Sequence, residues 1–437
     1  MIFGLPAILG FIPLAVYIIL AIRGKNMVMT VVVAVIVGAV LTGQSLIGFG
    51  GILAESLGSF LAMIGFIIML GAGLGEVLTR TKVAHNLVSI VLNKIKLKNQ
   101  TMAIIVAMLL STLLVAMLGT LAGANAILAP IVIPVLASFM LTRSSVGVLL
   151  HGAGAVGLMI GPFVPPVVTI LELTGVSYVQ YLVGAGIPLA IVIWIITFFV
   201  TKHVQKCTAG KTDYSDEDRT ATHELVLTSK IKLSTTLFLI GMVLLLGYGI
   251  YAHAGAAYAM VVMLVMSFVV GFSAGMSGTE ILDAIIAGCA RMFGMFLMFV
   301  LFEPLMIFIT NSGAFDALAG YLQPVLDKGG SIVFAMISTL IGIFGISGAA
   351  VAQSKVIHEM FGPMAVSLNM PMTVWALIIM VGSQITSFAY PTGDMMGQMG
   401  LARSQDVKSM MKNGIAITIA TIALVFIRTL ILSVAGI

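Results

Sequence analysis

Apolar and polar positions along this chain fall into long blocks, not the short periods of a soluble protein. Mostly apolar runs of about 17–25 residues, enough to cross hydrocarbon as a helix, recur at 4–22, 27–47, 57–78, 181–201, 233–253, 257–274, 292–310 and 415–434. Three regions are more complicated: 101–141, 146–174, and 331–363 followed by 372–397. There Gly, Pro and hydroxyl residues interrupt the apolar run. Residues 83–98 and 314–326 are too polar to span and read as amphipathic helices along the interface. The pattern predicts an all-α polytopic membrane protein of about 11 transmembrane spans.

Composition agrees: 60% of the 437 residues are hydrophobic and 8% charged, with a mean hydropathy of +1.19, against about 25% charged in soluble chains. The net charge of +5 does not mark nucleic-acid binding, because the basic residues sit in short loops. With the Arg23/Lys25 loop on the cytoplasmic side, all but Lys328, Lys355 and Arg428 of the 21 Lys and Arg fall inside. That orientation puts both termini outside a bacterial-type inner membrane and the hydrophilic loop 202–232 in the cytoplasm. The loop mixes Lys202, Lys206, Lys211 and Arg219 with Asp213, Asp216, Glu217, Asp218 and Glu224. It reads as a linker between an N-terminal half, 1–201, and a C-terminal half, 233–437. Cys207 and Cys289 are too few for a disulfide framework. The N-terminus lacks a signal-peptide pattern, so its first apolar run reads as a retained span.

The two halves carry the same features in the same order. A span closes at 78–82 in the first half and at 310–313 in the second, each followed by an amphipathic stretch. Next comes an apolar arm, a small-residue tip and a second arm: tip 118–126 (LGTLAGANA) in the first half, 345–353 (GISGAAVAQ) in the second. Then comes a helix broken by proline, 157–174 (GLMIGPFVPPVVTILELT) and 382–400 (GSQITSFAYPTGDMMGQMG). Span 57–78 runs out-to-in and span 292–310 in-to-out, so the copies form an inverted repeat. Hydrocarbon forbids unpaired backbone groups, so a break there must face protein, water or a ligand. Matched breaks of this kind form the midplane sites of secondary transporters. Each tip reads as a re-entrant hairpin in preference to two full spans.

Residues 57–94 (LGSFLAMIGFIIMLGAGLGEVLTRTKVAHNLVSIVLNK) and 382–414 (GSQITSFAYPTGDMMGQMGLARSQDVKSMMKNG) resemble the gluconate permease family. That family belongs to the wider ion-transporter superfamily, which includes citrate, dicarboxylate and sodium/proton exchangers. The resemblance implies two opposed hairpins meeting two unwound helices at a substrate site. Carried onto this chain, the tips are 119–125 and 347–353, and the unwound stretches are 161–166 and 387–394. It also implies a homodimer. Two features depart from the family pattern. A Gly-Pro-Phe-Val-Pro-Pro turn replaces a histidine- and proline-rich one, with His151 upstream, and the Ser-Asn-Thr sodium motifs of the dicarboxylate branch are absent.

The expected substrate contacts are Thr120, Asn125, Pro165, Pro166, Ser347, Gln353, Ser354, Thr386, Ser387 and Thr392, with half-helix N-termini adding positive potential. Gly119, Asn125, Ser347 and Asp394 are the candidates for holding Na⁺. Ionisable groups inside the membrane are expensive and mark function. Asp394, just after the Pro-Thr-Gly break, binds the coupling cation or else caps the turn that follows it. Lys355, His358 and Glu359 lie at helical spacing on one arm. Lys355 either attracts an anion or pairs with Glu359 at i,i+4, and His358 or Glu359 can carry a proton. Glu303, before Pro304, is a proton-relay candidate outside the repeat cores, or a carboxyl bonded to a neighbouring helix. Glu76 with Arg80 reads as an interfacial salt bridge, and Arg428 as a snorkelling side chain.

No phosphate loop and no nucleophile with a base appears, so neither an enzyme nor an organic cofactor is expected. The function that follows is secondary active transport of a small organic anion, a gluconate-, citrate- or dicarboxylate-like carboxylate, coupled to H⁺ or Na⁺. Two alternatives remain open: a Na⁺/H⁺ antiporter without organic substrate, and a membrane permease subunit that needs a soluble partner.

Overall fold

The computed structural model describes residues 6–23, 25–95, 97–220, 228–345 and 350–435. These form helices joined by short connections; among them, strand pairing is confined to one isolated bridge between Thr142 and Asp213. The first half comprises α1 (Ala7–Ala21), α2 (Met27–Thr42), α3 (Leu46–Ser56), α4 (Phe60–Arg80), α5 (Val83–Lys94), α6 (Gln100–Leu118), α7 (Leu121–Ser138), α8 (Arg143–Ile160), α9 (Pro165–Thr174) and α10 (Tyr178–Thr208). The second comprises α11 (Ser229–Tyr251), α12 (Tyr258–Ala274), α13 (Gly278–Asn311), α14 (Ala314–Leu340), α15 (Ala350–Ser367), α16 (Met372–Ala389), α17 (Gly393–Leu401) and α18 (Val407–Ala435).

Polar caps set the helix starts. The Asn26 side chain accepts from the Val28 and Met29 amides, Ser59 from Ala62, Asn99 from Met102 and Thr142 from Ser145. Each satisfies an amide that the first helical turn cannot. Ser277 and Glu280 close a reciprocal capping box at the start of α13. Gly119 and Gly175 end α6 and α9 in the left-handed region, with φ of 70° and 67°, where a Cβ would be strained.

Among the described residues, nine helices are long and apolar enough to cross a membrane. Eleven spans were expected; six shorter apolar helices, α1, α2 and α12 among them, fall below that length. Three boundaries differ from the sequence reading. The run 27–47 stops at Gly43, and a separate helix, α3, follows. The span expected from 292 is the second part of a helix that begins at Gly278 and runs for 34 residues. The amphipathic stretch from 314 continues into the next arm, interrupted only at Gly330, where φ is 60° and ψ −158°.

The counterparts α4 and α13 pack along most of their length and form the centre of the molecule. Small residues permit that approach. A Cβ on Gly288 would lie 2.3 Å from the Ala72 carbonyl oxygen, and one on Gly73 would lie 3.1 Å from that of Ile285. At one end of this pair Glu76 takes Arg80 at 2.9 Å, as expected, and also Arg291 of α13 at 2.7 Å.

Candidate functional site

The two breaks have nearly the same dimensions. In the first half, the 18 residues of α8 precede a four-residue turn and the 10 residues of α9. In the second, the 18 residues of α16 precede Tyr390–Thr392 and the 9 residues of α17. Pro165 and Pro166 occupy the first turn of α9, where a missing N–H costs nothing. The halves then cross. The short α9 packs against α16 and α15 of the other repeat, and the short α17 packs against α8 and α7. Each broken helix thus puts its short half against the long half and the hairpin of its opposite number.

Each hairpin also lies on the broken helix of its own repeat. In the first, a Cβ on Gly161 would be 2.5 Å from the Ala116 carbonyl oxygen of α6. In the second, a Cβ on Gly342 would be 2.7 Å from Gly382 Cα. A side chain at Gly119, the first tip, would sit 3.5 Å from Pro165 Cδ. The first hairpin therefore ends at the level of the break, and α9 extends ~15 Å further at 1.5 Å per residue.

An amide side chain clasps each tip. Asn125, fully buried, accepts from Ser111 Oγ (2.8 Å) and donates through Nδ2 to the Leu150 carbonyl (3.0 Å) and to Gln398 Oε1 (2.8 Å). It thereby ties α6, α7, α8 and α17 together. Gln353 donates through Nε2 to the Gly342 carbonyl (2.5 Å), the Gly382 carbonyl (2.9 Å) and Thr386 Oγ1 (2.8 Å). Thr386 in turn donates to the Ile343 carbonyl at 3.2 Å. Ser354 bonds back to the Ala350 carbonyl, and Ser387 to that of Gln384. Thr120 and Thr392 are half-buried at the first tip and the second break. Ser347 lies outside the described residues, within the part of the second tip, 346–349, that they omit.

Asp394 occupies the first turn of α17, exposed, beside the fully buried Met395. The positive end of the helix favours a carboxylate there. Lys355 does not pair with Glu359. Its Nζ donates to both oxygens of Glu303, at 2.8 and 2.7 Å. The reach is across helices, from α15 to α13, so Glu303 belongs to the second hairpin's surroundings and not to a region outside the repeat. His358 accepts from Trp375 Nε1 at 3.2 Å through Nδ1, and Glu359 is half-buried. Arg428 does not snorkel outward. Its Nη2 donates to the Gly184 carbonyl at 3.1 Å, within the π-turn Leu182–Gly186. Among the described residues no three His, Cys, Asp or Glu side chains come together as a metal site.

Sequence reasoning missed a buried polar seam around α8. His151 is fully buried with its ring 4.5 Å from that of Phe388, and neither ring nitrogen has a hydrogen-bond partner. Gln398 Nε2 and the Asn413 side chain are also buried without partners. Polar residues in otherwise apolar helices were the only available signal, and nothing in the spacing joins positions 151, 398 and 413.

The linker fastens one end of this assembly. Tyr214 donates to the Ala402 carbonyl at 2.9 Å, and Arg403 pairs with Asp218 at 2.5 Å. Burial pushes the Asp218 carboxyl up, but the hydrogen bonds from Arg403 and Ser215 outweigh it and hold it below its usual value.

A polytopic helical bundle with two crossed, interrupted helices and two hairpins has the architecture of a membrane carrier. The chain belongs to the DcuC family, described as C4-dicarboxylate anaerobic carriers, whose model matches residues 42–434. It is therefore a multi-pass secondary transporter of organic anions. No curated protein sequence matches it significantly. Two solved structures share the fold. One is the Alcanivorax borkumensis YdaH transporter, with a TM-score of 0.60 and 13% identity over 88% of this chain and 89% of that one. The other is Neisseria gonorrhoeae MtrF, described as one of a class of antimetabolite efflux pumps, with a TM-score of 0.55 and 15% identity over 97% and 95%.

Proposed function

We propose that this protein carries a small dicarboxylate across a bacterial inner membrane by alternating access, coupled to movement of H⁺ or Na⁺. The observation that carries the reading is the crossing of the two breaks, each short half-helix seated against the opposite repeat. The breaks differ in charge. The first turn of α9 contains no acidic residue, whereas that of α17 contains Asp394. The unneutralised positive end of α9 suits a solute carboxylate, and Asp394 suits the coupling cation. Thr120 and Thr392, half-buried at a tip and a break, supply hydroxyl contacts. Asn125, Gln353 and Thr386 shape the site by holding the hairpins. The linker faces the cytoplasm, and two copies form a dimer. A gluconate-like monocarboxylate is the competing solute, from the likeness in residues 57–94.

Purified protein in proteoliposomes tests this. Labelled succinate should accumulate under an inward proton or sodium gradient, with at least tenfold preference over gluconate. A sodium-triggered pH change with no succinate uptake would replace the reading with cation exchange. Uptake that required an added soluble binding protein would make the chain a permease subunit.

A further inference from the structure

Lys355 is the one Lys or Arg on α15, and Glu303 holds it with both carboxylate oxygens. The Lys355 and Glu303 side chains keep 12% and 16% of their surface exposed. The pair is thus withdrawn from bulk water but not sealed. A two-oxygen contact of this kind is how a lysine would hold a carboxylate from outside. The next residue, Pro304, has no N–H to donate, so α13 lacks one helical hydrogen bond beside Glu303 and bends there more easily. The ion pair also bridges the second hairpin to the central α4–α13 pair.

We propose that Glu303 is a resident carboxylate that occupies Lys355 in the empty carrier, and that a carboxylate of the transported solute takes its place. This rests on the reading of the chain as an organic-anion carrier. On exchange, the solute carboxylate receives the Lys355 ammonium, and Glu303 leaves as the neutral acid with one proton from solution. Charge balances for the exchanging carboxylate: it and one proton enter a site whose lysine stays cationic throughout. The second carboxylate of a dicarboxylate adds one further negative charge that this exchange does not neutralise. A carboxylate stranded without its partner in such a setting is costly, which links solute entry to proton entry. Release of Glu303 also unties the second hairpin from the central pair.

The elements packed against α13 and α15, and α15 itself, carry other titratable or charged groups. From α15 come His358 and Glu359, and from α1 comes Tyr17, whose ring meets Phe302 at 5.3 Å. Glu55 lies on α3, Tyr258 on α12 and Asp316 on α14. Glu76 is bound to Arg80 and Arg291. Among the described residues, the Glu303 carboxylate is ion-paired to Lys355.

The test compares wild type, Glu303→Gln, Glu303→Asp and Lys355→Gln in proteoliposomes. Succinate counterflow and proton entry, the latter by trapped pyranine, are read together, and succinate affinity is measured in detergent. Expected for Glu303→Gln are retained counterflow, at least tenfold tighter succinate binding and loss of succinate-driven proton entry. Glu303→Asp should keep proton entry at a reduced rate, and Lys355→Gln should weaken succinate binding at least tenfold. Proton entry at the wild-type ratio in Glu303→Gln, or wild-type affinity in Lys355→Gln, would overturn the proposal. So would loss of binding in a Glu303→Gln protein that unfolds at the wild-type temperature. Failure of wild type itself to move any organic anion would overturn the carrier reading, and this proposal with it.

Discussion

The two hairpins do the same mechanical job with different chemistry. The first is fastened by neutral groups alone: Asn125 spends its side-chain amide on Ser111, Leu150 and Gln398. The second has an equivalent amide, Gln353, and adds the Lys355–Glu303 ion pair. Buried hydrogen bonds between neutral amides, hydroxyls and carbonyls offer a carboxylate no cation to exchange for. An ion pair with partial access to water can trade one carboxylate for another. The architecture is therefore symmetric while the chemistry is not, and the ion pair of the second hairpin is where the proposed exchange of carboxylates would act.

Breaking the neutral clasp should have the largest effect on stability. Asn125→Ala takes their shared partner from Ser111 Oγ and Gln398 Oε1 and should cost about 3 kcal/mol, read as a fall in unfolding temperature in detergent. No second substitution at Gln398 should restore it fully. The ionic side should behave differently. Lys355→Met alone should cost about 2 kcal/mol, because it strands Glu303, and adding Glu303→Gln should recover most of that while transport stays lost. Recovery of transport in the double variant would erase the contrast.

Close packing should cost the two hairpins alike. Gly161→Ala meets the Ala116 carbonyl and Gly342→Ala meets Gly382, each for about 1–3 kcal/mol by unfolding temperature. The smallest effect belongs to the linker. The folded-state pKa of Asp218 is depressed, so its contribution is present above the ordinary carboxylate value and fades as pH falls through the folded value. Arg403 is more than half exposed, so solvent screening limits Asp218→Asn to at most about 1 kcal/mol at pH 7, vanishing in strong acid.

Proline and glycine made the breaks legible. Gly161, Pro165, Pro166, Pro391 and Gly393 stand at or beside the interruptions, which the family resemblance put at 161–166 and 387–394. The tip at Gly119 was legible for the same reason, since a left-handed turn between two apolar arms calls for glycine. Contacts between distant positions were not legible. Periodicity offered Lys355 a partner four residues away, but its partner is 52 residues earlier. The π-turn that gives Arg428 a carbonyl leaves no mark in the pattern, because Leu182–Gly186 reads as ordinary apolar helix. His151 was visible as a lone polar residue, and its contact with Phe388 is a product of the crossing itself.

Cysteine protection would test most directly whether a solute binds where the two repeats cross. With Cys207 and Cys289 replaced by Ser, single cysteines at Thr120 and Thr392 would be titrated with a small maleimide, with and without succinate. Slower labelling at both positions, with no change at a cysteine replacing exposed Ser229, is the predicted result. Unchanged labelling at both, in protein that still transports succinate, would place the solute elsewhere and contradict the account.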